Sequence, residues 1–244
     1  MAHEVTVNKQ GQVLGRKGQE TRRRLMTATR RLLCTSSPVD LTAVAIAKAA
    51  GTSSASFYMY FDDVQDVLYA LSLLAAEDMG QVIGFFDQGW NVDDLESEAL
   101  RLVEAFNDVW SRHREVLRYR NLEADRGDMR FEQLRMDTYV PFIEKFAQRI
   151  LSINPVGGGR RRGDAYAEAT VLHAAMERLA ATDPVVMERG LGAKRMNAAT
   201  ARVIVKTLQE SAADGVGVKK ASTAAKPRSK RKAPEAASVA TENV

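Results

Sequence analysis

The chain has 244 residues, 45% of them hydrophobic and 27% charged, with a formal net charge of +4; this suits one large or two small domains with a sizeable core. No run of 18 apolar residues occurs and the opening MAHEVTVNKQGQ is polar, which speaks against a membrane span and a signal peptide. Cys34 is the single cysteine and the histidines are scattered at 3, 113 and 173. No disulfide or zinc pattern can be built from these, so a cytoplasmic chain without metal or cofactor is expected.

Charge is distributed unevenly. Residues 1–61 hold nine Lys/Arg against three Asp/Glu, residues 62–215 nineteen against twenty-six, and residues 216–244 seven against two. A basic start, an acidic middle and a basic tail suit a protein that touches DNA with its ends.

In chain order, residues 1–18 read as a flexible basic arm bearing Lys9, Arg16 and Lys17. A first helix is expected over 19–35, with Leu25, Ala28 or Thr29, Leu32 and Leu33 as its buried stripe. Ser36-Ser37-Pro38 stops it, because the residue before proline avoids helical dihedrals.

Residues 42–61, TAVAIAKAAGTSSASFYMYF, carry the most information. Ala43, Ile46, Ala47 and Ala50 form one face of a short helix that Thr42 can cap. Gly51 breaks it, and Ser53 or Ser54 can cap a second helix carrying Phe57, Tyr58 and Phe61. Two short helices joined by a tight Gly turn form the helix-turn-helix layout, whose second helix lies in the DNA major groove. Such helices are too short to stand alone, so the first helix must cover them.

Longer helices are expected next, over 64–87 with Asp62 and Asp63 at its cap, 93–111, 114–125, 128–153 with a kink at Pro141, 163–182 and 194–213. Asn154–Gly159 reads as a loop, and Asp183-Pro184 separates the last two helices. No period-two strand pattern persists, so the fold is expected to be all-α. The Lys/Ala/Pro/Ser tail over 216–244 cannot bury enough apolar surface to offset chain entropy and should be disordered.

The stretch 42–61, followed by DDVQDVLYAL, resembles the N-terminal signature of the TetR-type transcriptional regulators. The resemblance rests on Thr42 opening the first motif helix, Ile46-Ala47 with Ala50-Gly51 before the turn, and Tyr58 with Phe61 closing the recognition helix. It covers roughly residues 19–70. It implies a three-helix DNA-binding domain (19–62), a helical regulatory and dimerisation domain (63–215), and a homodimer on double-stranded palindromic DNA, released by a small-molecule effector.

Carried over residue by residue, the resemblance assigns DNA contacts to Thr42, Ser53, Ser54, Ala55, Ser56, Tyr58, Met59 and Tyr60. Hydroxyls suit phosphates or either base type, and Ala or Met suits a thymine methyl. The surface is poor in charge, since no Lys or Arg lies between Ala49 and Arg101. Many family members carry a Lys three residues after the closing Phe, where this chain has Val64 among Asp62, Asp63 and Asp66. Phosphate contacts are therefore expected from Arg16 and Lys17 in the arm, entering the minor groove, and from Arg23 or Arg24. The tail lysines and arginines add non-specific DNA affinity or only solubility.

In the C-terminal half the resemblance is architectural. Phe85, Phe86, Trp90, Phe106, Trp110, Tyr119, Tyr139, Phe142 and Phe146 are expected round an apolar or aromatic ligand, with Asn121, His173 and Met176 as polar or soft contacts. The arginines at 112, 114, 118 and 120 leave room for an acidic head group. Two recognition helices reach successive major grooves only when held about 34–36 Å apart, which requires a two-fold dimer. No catalytic triad, phosphate loop or metal cluster supports an enzyme. The rival reading is a DNA-organising protein that binds with little sequence preference through arm and tail.

Overall fold

The computed structural model describes residues 13–153 and 161–209. Its elements are α1 (Arg16–Leu33), α2 (Ala43–Ala49), α3 (Ser54–Tyr58), α4 (Val64–Ile83), α5 (Leu95–Asp125), α6 (Met129–Ile153), α7 (Arg162–Ala180), α8 (Pro184–Arg189) and α9 (Ala193–Gln209). The all-α expectation holds among the described residues. The loop at 154–159, the tail, and Lys9 of the arm lie outside them.

Helix α1 starts three residues earlier than expected. Gly15 is extended, and the N–H groups of Gly18 and Gln19 donate to its carbonyl at 2.8 and 3.1 Å. Arg16 and Lys17 therefore stand on the first turn of a helix and not in an arm. After α1, a single 3₁₀ turn at Pro38–Asp40 leads to the motif.

The motif is built from local hydrogen bonds. Thr42 Oγ1 accepts from the Ala45 N–H at 3.1 Å and opens α2. At its other end Gly51 has φ +66°, the left-handed region where side chains crowd the backbone. Thr52 N–H donates to Ala47 O at 2.9 Å and Gly51 N–H to Lys48 O at 3.1 Å. This pair of bonds is the Schellman arrangement, which satisfies the last helical carbonyls and turns the chain sharply. Ser53 Oγ then accepts from the Ser56 N–H at 3.1 Å and opens α3. Helix α3 ends at Tyr58, so Met59 and Tyr60 sit on the turn that follows.

Asp63 caps α4 by accepting from the Asp66 N–H at 2.8 Å, while Asp66 accepts from the Asp62 N–H at 3.1 Å. By length and composition Val64–Phe86 could cross a bilayer. Seven of the α4 side chains, among them Leu68, Leu71 and Met79, are instead buried inside the protein. Helix α4 gives way at Gly84 to a 3₁₀ turn, short of the expected end at 87.

Two expectations needed correction here. The helices expected over 93–111 and 114–125 are one helix, α5, of 31 residues, about 46 Å long at ~1.5 Å per residue. Neither Gly nor Pro occurs within it, and the polar residues between the two expected ranges find partners across the fold. Arg112 Nη1 and His113 Nε2 both meet Asp78 Oδ2 of α4, at 2.7 and 2.8 Å. The Asp183-Pro184 connection is the start of helix α8. Asp183 accepts from the N–H groups of Val185 and Val186, and Pro184 stands at the first turn, where its missing N–H costs nothing. Helix α6 is continuous through Pro141.

Two hydrophobic cores result. One gathers Leu25 of α1, Ile46 of α2, Phe57 and Phe61 around α3, Leu68 of α4 and Val116 of α5. The other is built from α4 to α7 and α9 around Phe106, Trp110, Phe142, Phe146, Ala169 and Ile204.

Substituting Gly51→Ala forces an L side chain into the left-handed region and places its Cβ 2.7 Å from Arg24 Nη2. The expected cost is at least about 1–2 kcal/mol, read as a lower urea midpoint. An unchanged midpoint would show that the turn relaxes freely.

Candidate nucleic-acid interface and interior cavity

Among the residues expected at DNA, Thr42, Ser53, Ala55, Tyr58 and Met59 are exposed, while Ser54, Ser56 and Tyr60 are half-buried. Phe57 beneath them is fully buried and holds α3 to the core. The capping roles of Thr42 and Ser53 use their oxygens as acceptors, which leaves each hydroxyl proton to donate to a phosphate. Tyr60 lies beside the first turn of α1, its hydroxyl 3.5 Å from where a Gly18 Cβ would stand. Arg16 and Lys17, both exposed, are thereby next to the C-terminal side of the recognition element.

The arginines of α1 divide by partner. Arg23 lies on the surface and grips Glu20 with Nε and Nη2 at 2.9 and 2.7 Å. The pair holds the Glu20 carboxyl below its usual range, chiefly through the hydrogen bond. Exposed pairs of this kind contribute little and can be exchanged for a phosphate. Arg24 is committed elsewhere. Its Nη2 donates to the Gly51 carbonyl at 3.0 Å and to the Ala50 carbonyl, so it ties α1 to the turn of the motif. Arg22 covers the Phe61 ring at 5.2 Å, and burial pulls its guanidinium below the ordinary range. Arg31 reaches the Ala49 carbonyl at 3.4 Å. No spacing rule in the sequence distinguishes these roles; the open carbonyls that follow a glycine-ended helix are the one available signal.

In the regulatory half, most of the aromatic residues expected round a ligand pack on one another. Phe86 stacks on Trp90 and meets Phe142 and Phe146, with centroids 5.1 and 5.2 Å away for the last two. Phe106 lies against Phe142 and His173, and Tyr139 against His173 at 4.3 Å. Trp110 is fully buried, Phe85 is half-buried against the same core, and Tyr119 packs on Phe131 beside the other core.

A polar cluster crosses this core. Arg120, 1% exposed, donates to Tyr139 Oη at 2.9 Å and to Asn121 Oδ1 at 3.1 Å. Asn121 passes a bond to Glu177 at 2.8 Å. Burial pulls the Arg120 guanidinium down to about 10 and pushes the Glu177 carboxyl up; their 4.0 Å approach only partly offsets this. His173 is pushed down to about 4, first by burial and then by the Arg120 charge, and is neutral at neutral pH.

A cavity of about 230 Å³ opens between α5, α7, α8 and α9. Its apolar wall includes Val103, Met176, Leu179, Met187 and Met196, and its polar wall includes Asn107, Ser111, Arg114 and Asn197. Of the residues expected round the ligand, Met176 is on this lining, and so is Arg114 of the arginines expected at an acidic head group. A smaller crevice of about 150 Å³ shares Ser111 and Arg114 with it and extends to Arg30 and Cys34 at the end of α1.

A family model described as the tetracyclin repressor-like C-terminal domain matches residues 85–208. No curated protein matches the sequence. Among solved structures, the fatty acid degradation regulator FadR from Bacillus halodurans is similar at 15% identity and a TM-score of 0.55, covering 78% of this chain and 95% of that one. GusR of Salmonella enterica is similar at 18% identity and a TM-score of 0.54, with coverages of 78% and 95%. A TetR-family regulator from Mesorhizobium loti follows at 15% and 0.54, with coverages of 80% and 96%. These likenesses concern the fold.

Two titrations in this half oppose each other. The unfolded chain protonates His173 near 6.5 and the folded chain only near 4. The unfolded state therefore binds more protons in that window, and stability falls as pH drops from about 6.5 to about 4, by at most on the order of 3 kcal/mol. Glu177, whose carboxyl burial pushes up, acts in the opposite direction. His173→Phe keeps a ring against Phe106 and Phe142, so its urea midpoint should fall less between pH 6.5 and 4.5 than that of the wild type. Parallel pH curves would remove His173 from this account.

Proposed function

The chain belongs to the tetracyclin repressor-like, or TetR-type, regulators, and on that premise we propose that it is a sequence-specific transcriptional repressor acting as a homodimer on a palindromic operator. The observation that carries the DNA-binding reading is the motif itself. A Thr42-capped helix, a left-handed glycine turn and a Ser53-capped helix put the edge 53–60 outward over a buried Phe57. The DNA-binding unit in this reading runs from α1 to the start of α4, and the helices from α4 onward regulate it.

Arg16 and Lys17, with Arg23 once released from Glu20, supply phosphate contacts that the uncharged recognition element lacks. Arg24 acts from behind by fixing the turn. For the dimer, the reading uses the outer faces of α7 and α9. Val171 and Val203 are 68% and 52% exposed, and Ala167 and Ala174 lie on the same helix as Val171. Small and β-branched residues of this kind permit close helix packing in a four-helix interface between protomers. A ligand in the cavity between α5, α7, α8 and α9 would release the operator by favouring a different head spacing, and only to the extent of its differential affinity for the two states.

Selection of bound sites from a random DNA pool by the full-length protein tests this reading. A consensus of two inverted half-sites is the expected result, whereas a pool that stays random while DNA is bound would favour non-specific DNA organisation. On the selected site, reversing Arg16 and Lys17 to Glu should weaken binding. The slope of log K against log salt should also flatten by about two, roughly one per lost phosphate contact; an unchanged slope would remove both residues from the interface. Val171→Glu should yield a monomer in sedimentation and weaken operator binding, and a variant that stays dimeric would move the interface elsewhere.

A further inference from the structure

We propose that the cavity between α5, α7, α8 and α9 takes a small amphipathic monoanion, with an alkyl monocarboxylate as the type, and that Arg114 receives its charged head. The proposal rests on the ligand-responsive reading above and adds the chemistry of the ligand.

The argument starts from how α5 disposes of its positive charge. Arg101 pairs with Glu98, Arg112 with Asp78 and Asp108, Arg118 with Glu115, and Arg120 approaches Glu177. Arg114 differs. Its Nε donates to the Ala180 carbonyl at 3.3 Å, and no carboxylate among the described residues lies within ion-pair distance. It is half-buried on the cavity wall, with both terminal nitrogens left as donors. A guanidinium on an apolar wall that lacks a carboxylate partner favours an anion, which it can hold through two parallel N–H bonds.

The other charge on the lining is already used. Glu188 Oε1 accepts from the Ala193 N–H at 3.0 Å, which places its carboxylate at the positive end of α9. Asn107 and Asn197 bond to each other at 2.8 Å across the cavity. Three methionines with Val103 and Leu179 give the rest of the wall its apolar part, which suits a flexible apolar chain because thioethers adapt to irregular shapes. At about 230 Å³ and open to solvent on one side, the cavity has room for a short alkyl chain.

The position of Arg114 gives the ligand a way to act. Arg114 and Ser111 also line the crevice that reaches Arg30 and Cys34 on the last turn of α1. A carboxylate that reorients Arg114 alters the wall on which the DNA-binding unit rests.

The test uses the full-length protein and sodium octanoate as the probe, with 1-octanol and octylamine as the neutral and cationic controls. Calorimetry and thermal unfolding read binding, and anisotropy on the selected DNA is measured on the same samples. Octanoate should bind and raise Tm, with octanol about tenfold weaker or more and octylamine absent. Arg114→Gln should lose about tenfold in octanoate affinity while leaving octanol binding unchanged. Met187→Trp, which fills the cavity from the short exposed helix α8, should abolish binding of both; circular dichroism confirms that each variant is folded. The proposal is overturned if octanol binds as well as octanoate, if Arg114→Gln binds octanoate like the wild type, or if no carboxylate of six to ten carbons binds. A protein that binds octanoate but not DNA would leave it standing and sink the regulator reading instead.

Discussion

Helix α5 belongs to both hydrophobic cores, and the rest of the structure depends on that. Val116 lies in the core that carries α1 to α3, while Phe106, Trp110 and Leu117 lie in the core that carries α6, α7 and α9. A 31-residue helix without glycine or proline is stiff along its length. A change of packing at one end of α5 must then be taken up by rotation or sliding of the whole element. Close-packed cores resist intermediate positions, so a shift of this kind favours two discrete arrangements over a continuous range.

The polar interactions along α5 hold that helix to its neighbours at defined heights. Asp78 of α4 takes both Arg112 and His113, and Gln65 at the start of α4 donates to Glu123 at 3.0 Å. Arg130 of α6 bonds the same glutamine at 3.2 Å. Helix α4, which leads out of the DNA-binding motif, is thus gripped at two points thirteen residues apart. Breaking one buried partner of such a pair costs more than the pair contributes, because the survivor stays desolvated. The grip therefore specifies register more than it adds stability.

The motif was legible in the sequence because its signals are local. Thr42, Gly51 and Ser53 act through bonds that span three to five positions, and a single chain displays such spacings directly. Helix α5 was misread as two for the opposite reason. Ser111-Arg112-His113 resembles a polar break, and its resolution lies in Asp78, thirty-four residues from Arg112. Helix α8 was overlooked because Asp-Pro marks both a turn and a capped helix start, and the sequence around it left that choice open. The cavity was the least legible element. Aromatic residues drew attention as ligand contacts, yet flat rings pack on one another with little residual space. The open volume is lined instead by methionine, asparagine, one arginine and smaller residues; of these the sequence singled out Met176 and Arg114, and their proximity depends on four helices.

Arg24 shows why a basic residue near a DNA-binding motif need not face DNA. A helix that ends in a left-handed glycine exposes carbonyls on the turn side, and these require donors. Lysine would offer one point charge on a flexible stem. Arginine offers a planar fork whose Nη2 reaches both the Ala50 and Gly51 carbonyls from the neighbouring helix. Its placement couples α1 to the entrance of α3, so the orientation of the recognition element is set from the same helix whose last turn, at Arg30 and Cys34, borders Arg114 of α5. One rigid helix, α1, then touches both the turn that aims α3 and the wall of the regulatory half. A displacement of its last turn by a few tenths of an ångström would be carried to the other end without an intervening loop to absorb it.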